Sequence, residues 1–469
     1  MRIIKIVLIV LLISGVTIIS YFSLLKKKKA EAVDSSSWAK TYGTELFEHA
    51  TSIEQTNDGG YIMAGFTATA TPSPSNKEIL LDSFRVLKLK RNGKIDWQKL
   101  YIGAIDYGYV IHQTKDGGYI VAGQTNVYGS GNTDVWIIKL NAKGNIVWQK
   151  TYGGAGEDGV YSIQQTSDSG YIVAGFTNCF GAGGKDFWVI KLNSDGLIAW
   201  QKTYGGTSDE IANSIVQTID GGYIVTGWTM SFGAGKTDFW VLKLNSDGLI
   251  AWQKTYGGTE GEWARTIIET KDGYLVSGLT TSFSVSNGDI WIIKLNSNGT
   301  IKWQKVYGGK GDEGANSMQI TNDDGCIVAG ATTSFGAGSY DACLLKLNNA
   351  GMIEWQKTYG GAGGDWGISV QQTKDNGYIL AGETGSFSSG NSDVWVLKLK
   401  KDGAVKFNDA SKAIITDTTI IPLDTDAQSI NTTAQFSDTN ITPKDTNIIP
   451  SDSKATVNTQ SDKSNYLSE

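Results

Sequence analysis

Three phrases return along this chain at nearly constant spacing, and that period limits its folds more than any single residue does. The clearest copy runs Gly170-Tyr-Ile-Val-Ala-Gly-Phe-Thr177, then Asp186-Phe-Trp-Val-Ile-Lys-Leu192, then Trp200-Gln-Lys-Thr-Tyr-Gly-Gly206. The tyrosine of the first phrase stands at Tyr61, Tyr119, Tyr171, Tyr223, Tyr274 and Tyr378, with Cys326 in the sixth place. The aspartate of the second stands at Asp82, Asp134, Asp186, Asp238, Asp289, Asp341 and Asp393, 51 or 52 residues apart. Both columns count seven units.

Within a unit, four apolar runs of strand length are separated by turn signals. In the fourth unit these are Ser214 to Thr218, Tyr223 to Thr229, Phe239 to Leu244 and Leu249 to Tyr256, with Asp220-Gly-Gly222 and Asn245-Ser-Asp-Gly248 as hairpin chemistry. Four short strands in about 50 residues, repeated, predict an all-β fold: a seven-bladed β-propeller of four-stranded antiparallel blades. Trp240, Leu242 and Leu244 share one face of their strand, and Phe239, Val241 and Lys243 the other. Apolar residues on both faces predict strands buried between neighbouring blades, with the lysine end reaching solvent. No proline lies between Pro74 and Pro422, as dense strand pairing requires. Twelve of the fifteen tryptophans fall into two columns, Trp38 to Trp355 and Trp136 to Trp395, which read as packing devices.

The run Val241-Leu-Lys-Leu-Asn-Ser-Asp-Gly-Leu-Ile-Ala-Trp252 resembles the tryptophan-docking segment of pyrroloquinoline-quinone-type propellers, in which a tryptophan on the outer strand ties adjacent blades together. The full repeat, Trp-Gln-Lys-Thr-Tyr-Gly-Gly with Gly-Tyr-Ile-Val-Ala-Gly, is similar to repeat arrays of bacterial and archaeal surface proteins. The resemblance spans Trp38 to Asn408. It departs from the quinone enzymes in having seven units and no vicinal cysteine pair, so no cofactor is carried over.

Ring closure follows from a mismatch in counting. Each of the first three strands has seven copies, but the outer one has eight candidates, Trp38 to Gly43 at the start and Gly403 to Phe407 at the end. The first keeps the motif, so 38–43 is expected to return and complete the seventh blade. The first unit carries about six extra residues, with Thr71-Pro-Ser-Pro-Ser75 among them, expected as a surface loop.

The flanks differ in kind. Ile6 to Leu25 is twenty residues without a charge, followed by Lys26 to Lys29. A helix of that length rises about 30 Å, enough to cross a bilayer. The expected order is a membrane anchor over 1–29, a linker over 30–37 and the propeller over 38–408. A Ser/Thr/Asp/Asn-rich tail without structure is expected over 409–469. Cleavage after Ala32, at a small-x-small site, is the competing fate and would give a secreted form. The four lysines alone would keep the following domain in the cytoplasm, yet the composition of the repeats favours an external propeller. A net charge of −6 offers no basic excess for nucleic acid. Cys179, Cys326 and Cys343 form no disulfide framework, and a hairpin register about five residues out of step keeps the last two roughly 17 Å apart.

The long connections of each blade emerge on one face of the ring. They gather Tyr128, Phe180, Phe232, Phe283, Phe335 and Phe387 with Asp106, Asp158, Asp209, Glu262, Asp312 and Asp365. Rings beside carboxylates suit a sugar, but recurrence in every blade favours plugs and turn caps. The seven strand-opening aspartates read as turn caps and not as metal ligands. His49 and His112 read as packing residues; no catalytic set, metal site or cofactor is expected. Trp228 and Trp263 break the symmetry and are the first candidates for a ligand site, with Glu262, Arg265, Phe232 and Phe283 beside them. The expected role is a non-catalytic binding or display scaffold of the cell envelope, taking a glycan or surface protein. A polysaccharide-acting enzyme and a purely structural spacer are the alternatives.

Overall fold

The computed structural model describes residues 37–43, 47–71, 79–102, 110–284, 287–388 and 390–406, and seven short backbone segments between 414 and 459. The predicted transmembrane span, Ile6 to Leu25, lies outside the described residues. Among those described, no helix is long and apolar enough to cross a membrane.

Seven antiparallel sheets form seven blades. Their first four strands fall within residues 48–102, 110–152, 158–205, 210–257, 262–307, 313–360 and, for the last, 365–399 with 38–43. The fourth blade contains Glu210–Gln217, Tyr223–Thr229, Asp238–Leu244 and Ile250–Gly257 in simple meander order. The expected latch is present: Trp38 to Tyr42 runs antiparallel to Lys398 to Val394 and supplies the outer strand of blade seven. Of the rival segment, 404–406 forms no strand, and the Lys406 amide bonds the Ser37 hydroxyl at 3.3 Å. Each sheet also carries a fifth, outermost strand drawn from 414–459, in the stretch expected to lack structure.

Apolar residues on both faces of a strand pack in the gaps between blades. Phe239 lies 4.8 Å from Trp291 of the next blade and belongs to a core with Val241, Tyr256, Val276 and Ile293. The outer-strand tryptophans do what docking requires. Trp200 meets Tyr223 of the next blade edge-on at 5.8 Å, and its indole donates to the Ser246 carbonyl at 3.1 Å. Nearer the axis, the Ser and Gln side chains of the first strands bond the backbone of the adjacent blade. Ser162 accepts from the Ile215 amide, and Gln164 from that of Gln217.

Two details differ from the sequence expectation. The lysine of the third strand does not reach solvent: Lys243 is 6% exposed, and its ammonium bonds Asp220 of the first hairpin turn at 2.9 Å. Lysine ends a stretch that is buried on both faces, so its charge has to be met within the fold. In the first blade, Ser83 and not Asp82 pairs with Thr67, the place that aspartate holds elsewhere, because the position six residues before the strand-ending leucine, Asp186 before Leu192, is Ser83 before Leu89. The cysteines lie as expected. Cys343 sits opposite Gly330, four residues from Cys326, and all three thiols are free.

Candidate functional site

The loop face is built on carboxylates that the fold uses internally. The strand-opening aspartates accept amides from the loops before them: Asp134 from Ser130 and Gly131, Asp238 from Gly235, and Asp341 from Ala337 and Gly338, all at 3.0 Å. A second acid opens the first strand of the following blade. Glu48, Asp158, Glu210, Glu262, Glu313 and Asp365 are all buried. In two blades this column is displaced by one residue from the acids picked out by sequence. Glu210 and Glu313 are the members, and Asp209 and Asp312 lie outside the strands. Adjacent acids cannot be told apart without the pleat. Asp106 lies outside the described residues.

The two acids meet at the blade junction. A β-carbon on Gly205 would stand within 1.7 Å of Asp186 Oδ1 and 2.8 Å of Glu210 Oε2. Burial, with Glu210 close by, pushes the Asp186 carboxyl up to about 6, and burial does the same to Asp238, with Glu262 a smaller cause. Glu262 itself accepts from the Gly258 amide at 2.9 Å, the Thr280 hydroxyl at 3.0 Å and the Ser282 amide at 3.1 Å. It holds two loops and is wholly out of water. Phe232 and Phe283 lie 5.4 and 5.2 Å from Trp240 and Trp291, plugging the tops of the gaps.

Around the axis, the first strands of six blades are interrupted by a β-bulge, as between Ala264 and Thr266. The bulged residues are Thr51, Tyr161, Asn213, Arg265, Asn316 and Ile368. A bulge re-aims its side chain out of the ladder. Asn213 and Asn316 use this freedom to bond the next blade at Ala264 and Gly367. Arg265 keeps contact with solvent although protein crowds it. Desolvation lowers its pKa, and the Tyr161 hydroxyl of blade three, two blades away, offsets this.

The second residue of the first strand varies among the other six blades: His49, Gly159, Ile211, Trp263, Gly314 and Trp366, blade two's first strand being described only from Val110. Trp366 stacks on Tyr340 of the preceding blade at 5.4 Å, and His49 Nδ1 lies 2.6 Å from Glu383. Trp263 borders the parallel bridge between Thr237 and Gly261. Trp228 sits opposite Ile211 and Phe239 on the second strand of blade four, one residue from the same loops. Trp228 thus lies on the second strand of blade four, and Trp263 and Arg265 on the first strand of blade five, whereas Glu262 is bonded to the adjoining loops and Phe232 and Phe283 pack on the third-strand tryptophans.

A second asymmetry escaped the sequence reading. On the opposite face, a concavity of about 550 Å³ is lined by Ile219, Glu269, Lys271, Asp272, Lys302 and Ile320, among others. Elsewhere Gln or Glu at the end of the first strand bonds the preceding blade's turn, as Gln372 bonds the Asn322 amide, but Ile320 has no such group. That one aliphatic residue in a polar column was the available signal. Among the described residues, no group of three or more His, Cys, Asp or Glu side chains could hold a metal ion. Comparison with protein-family models and with curated proteins finds no match for this chain.

Proposed function

We propose that this chain is a non-catalytic binding scaffold of the cell envelope, held by its amino-terminal segment and offering the loop face near blades four and five to a glycan or protein partner. The observation that carries this reading is the placement of Trp263 and Arg265, two residues apart on Glu262–Thr270, where most other blades have small or uncharged residues. An indole stacks on a sugar's C–H face or an apolar side chain, and a guanidinium donates to hydroxyls or carboxylates.

The enzymatic alternative needs two carboxylates about 5–10 Å apart across an open cleft. The junction acids are buried and bonded to loop amides, which weighs against that use. The test is binding of the full chain in detergent to a glycan array and to cell-surface extracts, alongside Trp263→Ala and Arg265→Ala. Loss of a signal in both variants, with unchanged melting, supports the site. Signals that persist in both would move the site elsewhere. Protease shaving of intact cells tests the envelope placement: a propeller cut only after lysis, with an envelope-barrier control, would overturn it.

A further inference from the structure

The seven outermost strands run antiparallel to the outer strands of blades six, five, four, three, two, one and seven, in that order. Opposite Lys357, Lys305, Lys254, Lys202, Lys150, Lys99 and Lys40 stand Asp417, Asp424, Asn431, Asp438, Asp445, Asp452 and Thr459. These lysines are one column, the Lys of Trp-Gln-Lys and of its Trp-Ala-Lys counterpart. Their partners are seven residues apart at every step.

The sequence itself has this period. Residues 411–459 divide into seven heptads: SKAIITD, TTIIPLD, TDAQSIN, TTAQFSD, TNITPKD, TNIIPSD and SKATVNT. Each begins with Ser or Thr, and five end in Asp. Seven extended residues reach at most about 23–25 Å. The three heptads with proline at the fifth place, Pro422, Pro443 and Pro450, pair over two residues, Leu423–Asp424, Lys444–Asp445 and Ser451–Asp452. The four without it pair over four residues, Ile414–Asp417, Gln428–Asn431, Gln435–Asp438 and Thr456–Thr459. Proline has no amide hydrogen for a ladder, so sequence accounts for the length of each pairing.

We infer that the rim of this propeller is a strand-accepting surface and that residues 411–459 of the same chain are its dedicated partner, a strap of one heptad per blade. The outer strands repeat a nearly constant sequence and so present seven equivalent open edges. The strap closes every edge in one circuit, and an open edge is where a sheet protein risks pairing with other chains. Register is set by placing the seventh residue of a heptad across from the lysine, since directly opposed residues share a face and opposite charges there favour one alignment. A slip of one residue in the strap would misalign all seven.

Disulfide trapping in the full chain tests this, in a Cys179→Ser background so that the one partly exposed native thiol is removed. Three double variants are compared under mild oxidation: Lys202→Cys with Asp438→Cys, Lys357→Cys with Asp417→Cys, and the cross-pair Lys202→Cys with Asp417→Cys. The expected result is an intramolecular link in both matched pairs, at least tenfold faster than in the cross-pair. Equal rates in all three, or links that form only between chains, would overturn the strap. A charge swap guards against loss of fold. Asp417→Lys, Asp424→Lys and Asp438→Lys together should expose the tail to protease, and adding Lys357→Asp, Lys305→Asp and Lys202→Asp should restore protection. Protection unchanged by the first set would overturn the proposed register.

Discussion

Tyr204 donates a 2.6 Å hydrogen bond to the carbonyl of Gly248 in the next blade, in the same turn against which Trp200 packs. The bond recurs from Tyr42 to Gly93 at one end of the ring and from Tyr359 to Gly403 at the other. Gly248 has φ +78°, and a β-carbon there would lie 2.8 Å from the Trp200 ring. Tyr204→Phe should cost about 1–2 kcal/mol, because a buried carbonyl loses its donor. Gly248→Ala should cost more, since strain and a clash coincide. Chemical denaturation of both variants checks the order.

The buried acid pairs predict an unusual pH profile. A carboxyl whose folded pKa is raised keeps its proton more tightly when folded. Its contribution to stability is complete below the ordinary 3.8 and lost as pH rises through about 6 for Asp186 and Asp238. Asp58, Asp116, Asp168 and Asp220 are held down at about 2, with the third-strand lysines among the causes; their contribution is complete above the ordinary 3.8 and is lost as pH falls from there through about 2. Stability should therefore rise from pH 6.5 to 4.5, by at most about 1.4 kcal/mol per raised group and pH unit. Asp186→Asn should flatten the slope, as melting curves across that range would reveal.

Ring closure by the first described strand makes a stronger demand. Removing residues 34–44 leaves blade seven without its outer strand and Arg85 without the Tyr42 carbonyl it bonds at 3.3 Å. Burial already lowers the Arg85 pKa to about 10, so the loss also strands a desolvated cation. The melt should broaden and its midpoint fall. An unchanged transition in calorimetry would rule out the latch as a source of cooperativity.

The lysine column predicts non-additive mutations. Asp220→Ala leaves the nearly buried Lys243 ammonium with the Leu244 carbonyl alone, at 3.2 Å, among the acceptors described for it. It should cost about 1–3 kcal/mol, tempered by the exposure of the aspartate. Lys243→Met with Asp220→Ala should recover part of that, because no unpaired charge stays behind. A double-mutant cycle in urea measures the coupling.

How much could be read from sequence depended on whether a property repeats within the blade or arises between blades. The strand count, the seven units, the closing segment, the docking tryptophans and the unbridged cysteines were all legible, since each follows from local pattern and register. Trp228 and Trp263 were legible as departures from a column. Which acid of Asp209-Glu210 turns inward was not, because the pleat decides it and the sequence spells both.

The same limit explains the larger misses. Lys243 looked solvent-bound because its strand alone has no counter-charge; Asp220 meets it across a hairpin. Glu262 reads from the sequence as one more loop-face acid, but its burial and its bonds to Gly258, Thr280 and Ser282 arise from segments that only the fold brings together. The heptads of 411–459 are in the sequence, but their composition has too little apolar surface to form a core by itself. Only the tertiary structure supplies the seven open edges that give such a segment something to pair with, because a strand's hydrogen bonds need a partner that its own sequence does not contain.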